Sequence, residues 1–134
     1  MNDPQPAMAE RIAQAARDFQ RRITGHAPED VKVVLNDKTL VITLYEALTA
    51  AERALSQSSE GAARVREFHQ QLFAMSAGFL REEIANITGV PVHEAITQVA
   101  TQPGSIVQVF TSGTMVQVFE LAQAIPTESW NRAV

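Results

Sequence analysis

The chain contains no cysteine, which excludes structural disulfides, thiolate zinc sites and thiol nucleophiles outright. The same lack fits a reducing compartment. No apolar run approaches the roughly 20 residues that a membrane span needs. The N-terminus, MNDPQPAMAERIAQ, puts acidic Asp3 where a secretory leader carries positive charge. A soluble, cytoplasmic protein without direct membrane insertion is therefore expected. Lys and Arg form no cluster interleaved with aromatics, and the net charge is −4, so nucleic acid is not an expected partner. With 134 residues, the chain fits one domain able to bury roughly 65 to 70% of the surface its unfolded form exposes. It needs neither metal nor disulfide to hold it.

The most legible stretch runs from Val31 to Leu55. Val31, Val33 and Leu35 alternate with Lys32 and Val34, Asn36-Asp37 supplies a turn, and Leu40, Ile42 and Leu44 alternate with Val41, Thr43 and Tyr45. That pattern predicts a hairpin with one richer apolar face. Thr49-Ala50-Ala51-Glu52 has the form of a capping box, so a helix is expected over residues 50 to 57. Before the hairpin, Met8, Ile12, Ala15, Ala16, Phe19 and Ile23 recur at helical spacing, opposite Glu10, Arg11, Arg17, Asp18 and Arg21. Gly25 and Pro28 end that helix.

After a break at Ser58-Ser59-Glu60-Gly61, a second helical pattern runs from about Ala62 to Ile87. Val65, Phe68, Leu72, Met75 and Phe79 make one apolar stripe, and Phe73, Leu80, Ile84 and Ile87 a second, rotated one. Such a helix is about 39 Å long, more than a sheet of short strands can cover. Either it bends or breaks near Ser76-Ala77-Gly78, or part of it meets another copy of the chain. Thr88-Gly89 closes it. Residues 92 to 101 fit helix or strand, and the Gln102-Pro103-Gly104 turn favours strand. Val107-Gln108-Val109-Phe110 and Val116-Gln117-Val118-Phe119, joined through Thr111-Ser112-Gly113-Thr114, predict a second tight hairpin.

Together these elements predict an α+β fold: an antiparallel sheet of about five strands with the N-terminal helix and the long helix packed on one face. A single domain is expected over 7–121, between a flexible N-terminus at 1–6 and a C-terminal tail at 122–134. The tail, with Trp130, is expected on the surface or docked on a neighbour.

Residues able to carry chemistry are few. His26, His69 and His93 lack the spacing that converges on a metal, so no metal and no cofactor is expected. Glu82 and Glu83 are adjacent on a helix, point about 100° apart and cannot share acid–base work. No serine sits in a Gly-x-Ser-x-Gly elbow, so no catalytic residue is assigned. Arg66, His69 and Arg81 put cations along the long helix, and a small anion could be held there. A solvated face with Glu67 as counter-charge is the plainer account. Thr111 and Thr114, in a turn rich in hydroxyls, are a second candidate anion site, although any tight hairpin needs such residues. Phe68, Leu72, Met75 and Phe79 are the candidate oligomer interface.

GHAPEDVKVVL, LVITLYEALTAAERAL, GAARVREFHQQLF, LREEIANITGVPV and a terminal VQVF occur in that order. This succession resembles the MpsC-like family, a bacterial domain of unknown function, from about Ile12 to Leu121. Its most specific pieces are Leu48-Thr49-x-x-Glu52, the Arg66 to Phe73 segment, and Thr88-Gly89 followed by the terminal Val-x-Val-Phe strand. None of these is a catalytic motif. The chain departs from the family pattern by an extended stretch around Ile96 to Thr114, read as an extra strand pair. The family is named for a sodium-translocating, membrane-potential-generating system and is linked to membrane complexes that supply inorganic carbon. The resemblance thus implies a non-enzymatic accessory or regulatory protein of a membrane ion or bicarbonate transport system, with subunits of that complex as partners. The wide apolar surface of residues 65 to 87 adds a homodimer. A small-anion or small-ligand sensor is the alternative reading.

Overall fold

A computed structural model describes residues 7–93, 105–110 and 112–131 of the chain. Helix α1 (Met8–Thr24) precedes a hairpin of β1 (Asp30–Asn36) and β2 (Thr39–Tyr45); α2 (Ala50–Leu55) and α3 (Ser59–Thr88) follow, then β3 (Ser105–Val109), β4 (Met115–Glu120) and the short α4 (Thr127–Asn131). The four strands form one antiparallel sheet in the order β1-β2-β4-β3. The α+β class and the two principal helices match the sequence reading, but the sheet has four strands among the described residues rather than about five. Of the stretch expected to supply another strand, residues 92–101, the described part forms one bridge, Val92 to Leu121, and residues 94–104 lie outside the described region.

The two hairpins form for the reasons their sequences suggest. Asn36 pairs with Thr39, leaving a two-residue loop whose first member, Asp37, has φ 57°, a conformation Asp tolerates better than most residues. The near-copies pair through Val107 with Gln117 and Val109 with Met115. The β3–β4 turn is closed by Phe110 N–H donating to Thr114 O at 2.9 Å and Gly113 N–H to Phe110 O at 3.0 Å. Gly113 has φ 97°, where a Cβ would be strained.

Both principal helices end in the same Thr-Gly device. Thr24 Oγ1 donates to Gln20 O and accepts from His26 N–H; Thr88 Oγ1 donates to Ile84 O and accepts from Val90 N–H. Gly25 and Gly89 follow in the left-handed conformation, so carbonyls of the last turn are satisfied before the chain leaves. At its start, α3 begins earlier than the apolar pattern suggested, because Ser58 caps Gly61 N–H at 3.0 Å. It then runs unbroken through Ser76-Ala77-Gly78 to Thr88, so the expected alternative of a break there is not realised.

One core holds the fold. Val31, Leu40, Ile42, Leu44, Met115 and Phe119 project from the sheet and are buried beneath Ile12, Ala16 and Phe19 of α1 and Val65, Phe73, Ala77, Leu80, Ile84 and Ile87 of α3. Phe73 meets Phe119 with ring centroids 5.9 Å apart, within the range where aromatic pairs attract beyond their buried area. Trp130 of α4 packs on this same core, so within the chain the tail has a docking place of its own.

Two glycines of α3 test this packing in opposite directions. A Cβ at Gly61 would overlap the carbonyl oxygen of Leu55, whereas one at Gly78 would meet only the end of Arg81, at 3.9 Å. Gly61→Ala should therefore lower the unfolding free energy by about 2 kcal/mol or more. Gly78→Ala should raise it by roughly 0.5–1 kcal/mol through helix propensity. Urea denaturation of the two variants checks both signs.

Candidate functional site

The polar side chains that the fold brings together most closely lie where α2 meets α3. Thr49 is the N-cap of α2 and forms the predicted capping box with Glu52. Glu52 Oε1 accepts from Thr49 N–H and Thr49 Oγ1, both at 3.0 Å. Thr49 Oγ1 in turn accepts from Glu52 N–H at 3.2 Å. The second carboxylate oxygen, Oε2, lies 2.5 Å from His69 Nε2. An ionised carboxylate can only accept, so Nε2 carries the proton and donates. The His69 side chain is 2% exposed and that of Glu52 17%.

Burial alone pushes the Glu52 carboxyl up, but the Thr49 N–H, the hydrogen bond and attraction of His69, and the Thr49 hydroxyl together outweigh it and hold the group below its ordinary 4.5. Because α2 buries none of its own residues, this knot is what anchors it. Beside it opens a cleft of about 380 Å³ between the end of α1, α2 and α3, with Ile23, Leu55, Val65 and Phe68 among its walls and Arg64 at its rim.

The residues expected from sequence to bind an anion are not gathered. Arg66 is exposed on α3, while His69, three residues on, is buried against Glu52. Arg81 is half-buried and lies about 22 Å from Arg66 along the helix axis. Thr114 is half-buried in the β3–β4 turn, and Thr111 lies outside the described residues. His26 Nε2 donates to Glu46 O at 2.8 Å, and His93 Nε2 stands 4.0 Å from Glu120 Oε1, so the three histidines occupy three separate places. Among the described residues no group of three or more His, Asp or Glu could hold a metal.

The expected interface residues do share a surface. Phe68, Met75 and Phe79 are 54%, 85% and 69% exposed, and Leu72 between them is half-buried. At about 100° per residue this stripe lies about 110° round α3 from the core-facing stripe. Helix α1 runs beside it in the opposite direction: Ile23 lines the same cleft as Phe68, and Asp18 and Arg22 line the same groove as Phe79.

Sequence reasoning missed the Glu52–His69 pair. The capping box and the histidine were each visible, but they are 17 residues apart, and only the turn between α2 and α3 brings them together. Leu55, exposed beside Phe68, was missed for the same reason.

The fold and this surface define an α+β domain built round a long helix with one apolar face outside the core. The profile of the MpsC family, described as a Na+-translocating membrane potential-generating system, matches residues 5–113. That is most of the chain, which belongs to this family. No curated protein and no solved structure gave a significant match. No helix among the described residues is long and apolar enough to cross a membrane.

The knot gives a pH-dependent prediction. The folded value of Glu52 lies below 4.5, so its stabilising contribution is complete above that value and is lost as the pH falls through the folded one. Glu52→Ala should cost about 2 kcal/mol near neutrality, from the lost cap and the hydrogen bond to His69. The gap to the parent protein in urea denaturation should narrow as the pH is taken below 4.5. A gap independent of pH would contradict the account.

Proposed function

We propose that the protein is a non-enzymatic, cytoplasmic accessory or regulatory module of a membrane system that moves ions or inorganic carbon, and that it works as a homodimer. One observation carries the reading: α3 completes its own core with one face and presents Phe68, Leu72, Met75 and Phe79 on another. Monomeric soluble proteins rarely expose connected apolar patches beyond a few hundred Å², and three large side chains here stand in a row along a rigid helix. The family description supplies the setting, a membrane-potential-generating system. In this reading the helix face is the working surface, and the Glu52–His69 knot fixes the cleft at one end of it.

Light scattering at micromolar concentration should give the mass of two chains, and Phe79→Glu should give one, with unchanged circular dichroism. A pull-down from membranes of the native host should recover identified subunits of an ion or inorganic-carbon transporter. A monomer at that concentration contradicts the dimer. Recovery of no transporter subunit contradicts the setting.

A further inference from the structure

We infer that two copies pair antiparallel along α3, about a twofold axis midway between Leu72 and Met75, with Phe79 of the partner subunit seated in the cleft beside Phe68. The inference rests on the self-association just proposed and adds direction, register and an occupant for the cleft.

The spacing of the stripe comes first. Phe68, Leu72, Met75 and Phe79 are separated by four, three and four residues, the alternation of a coiled-coil seam. Their order is close to a palindrome: an aromatic at each end and unbranched or γ-branched aliphatic side chains between. Reversing one copy about the axis sets Phe68 against Phe79 of the partner subunit and Leu72 against Met75 of the partner subunit. A parallel pairing would set each residue against itself and leave the cleft beside Phe68 without its ring. The same reversal brings the partner's Phe79 over the walls formed by Ile23, Leu55 and Val65. A side chain 69% exposed would meet an apolar recess of matching position.

Charge agrees with this register. Arg64, exposed and ion-paired with Glu60 of its own helix at 2.8 Å, and Glu82, exposed at the groove that Asp18 and Arg22 also line, lie on one flank of the seam, one near each end. Reversal brings Arg64 of one copy to within one residue's rise, about 1.5 Å along the axis, of Glu82 of the partner subunit, and symmetry makes the contact twice. Arg66 and Arg81, which the operation would also set at equal height, lie about 150° round the helix from the seam and do not meet.

Area is sufficient as well. From their exposures, Phe68, Met75 and Phe79 offer about 400 Å² per copy if each side chain spans roughly 200 Å². That is about half of what each partner contributes to an interface of ordinary size, with the flanking polar residues left to form its rim.

Because the chain has no cysteine, engineered thiols report the register without background. Arg64→Cys and Glu82→Cys are prepared separately, then refolded together and oxidised. The mixture should form a disulfide between positions 64 and 82, identified by mass spectrometry, in several-fold greater yield than either variant alone. In the antiparallel pair two like positions are about 27 Å apart along the axis, far beyond disulfide reach. Phe79→Ala in the otherwise unaltered chain should weaken dimerisation about tenfold or more, and Phe79→Trp should restore it. Cross-linking of each variant with itself, or a dimeric mixture with no 64–82 bond, would overturn the register while leaving self-association standing. A monomeric parent chain would instead remove the reading on which the inference rests.

Discussion

The dominant constraint on this molecule is that α3 carries two apolar faces and the described elements pack on one of them. The 30 residues of α3 extend about 45 Å, while strands of five to seven residues reach only about 17–24 Å. The inward face of the helix is nonetheless buried along its whole length, from Val65 to Ile87, by the sheet together with α1. Among the described residues nothing covers the second apolar face, about 110° round the helix, and Phe68, Met75 and Phe79 stand 54%, 85% and 69% exposed.

A second constraint operates at the N-terminal end of α3. Six-residue α2 is too short to be stable by itself and contributes no buried side chain. Its position is set by polar geometry instead: Thr49 and Glu52 satisfy each other's backbone, and the remaining carboxylate oxygen accepts a hydrogen bond from buried His69. Gly61 lets the last carbonyl of α2 come close. Capping chemistry, normally a local matter, here fixes one helix against another. It also gives the cleft beneath Leu55 and Phe68 a rigid wall, so the shape at one end of the apolar stripe depends on a hydrogen-bond network that is itself out of solvent.

How much of this was legible in the sequence depended on the range of the interaction. The β1–β2 hairpin, the Thr49–Glu52 box and the Gly25 and Gly89 caps are set by residues within a few positions of one another, and all were readable. The excess of apolar surface on α3 was readable too, because helical periodicity sorts Phe73, Leu80, Ile84 and Ile87 from Phe68, Met75 and Phe79 before any packing is known. What could not be read was tertiary. His69 seemed a candidate anion ligand beside Arg66, since both lie on one helix; the fold sends His69 inward to Glu52 and leaves Arg66 outside. The further strand was expected over residues 92–101, where Val92, Ala95, Ile96 and Val99 satisfy two periodicities at once; residues 94–101 lie outside the described region, and the described residues form a sheet of four strands.

Family membership supplies a setting, and the physical reading supplies a surface. The description attached to the family names a membrane-potential-generating system, and the structure offers an apolar helix face flanked by charges of both signs. The central claim is that Met75, at the middle of that face, is covered by another copy of the chain in solution. Methyl NMR of methionine-labelled protein tests it most directly, with Met115, 2% exposed in the core, as the internal reference. On dilution from high to low micromolar concentration the account predicts that the Met75 methyl resonance shifts and sharpens while that of Met115 keeps its position. A Met75 signal that stays sharp and unmoved at every concentration would contradict it.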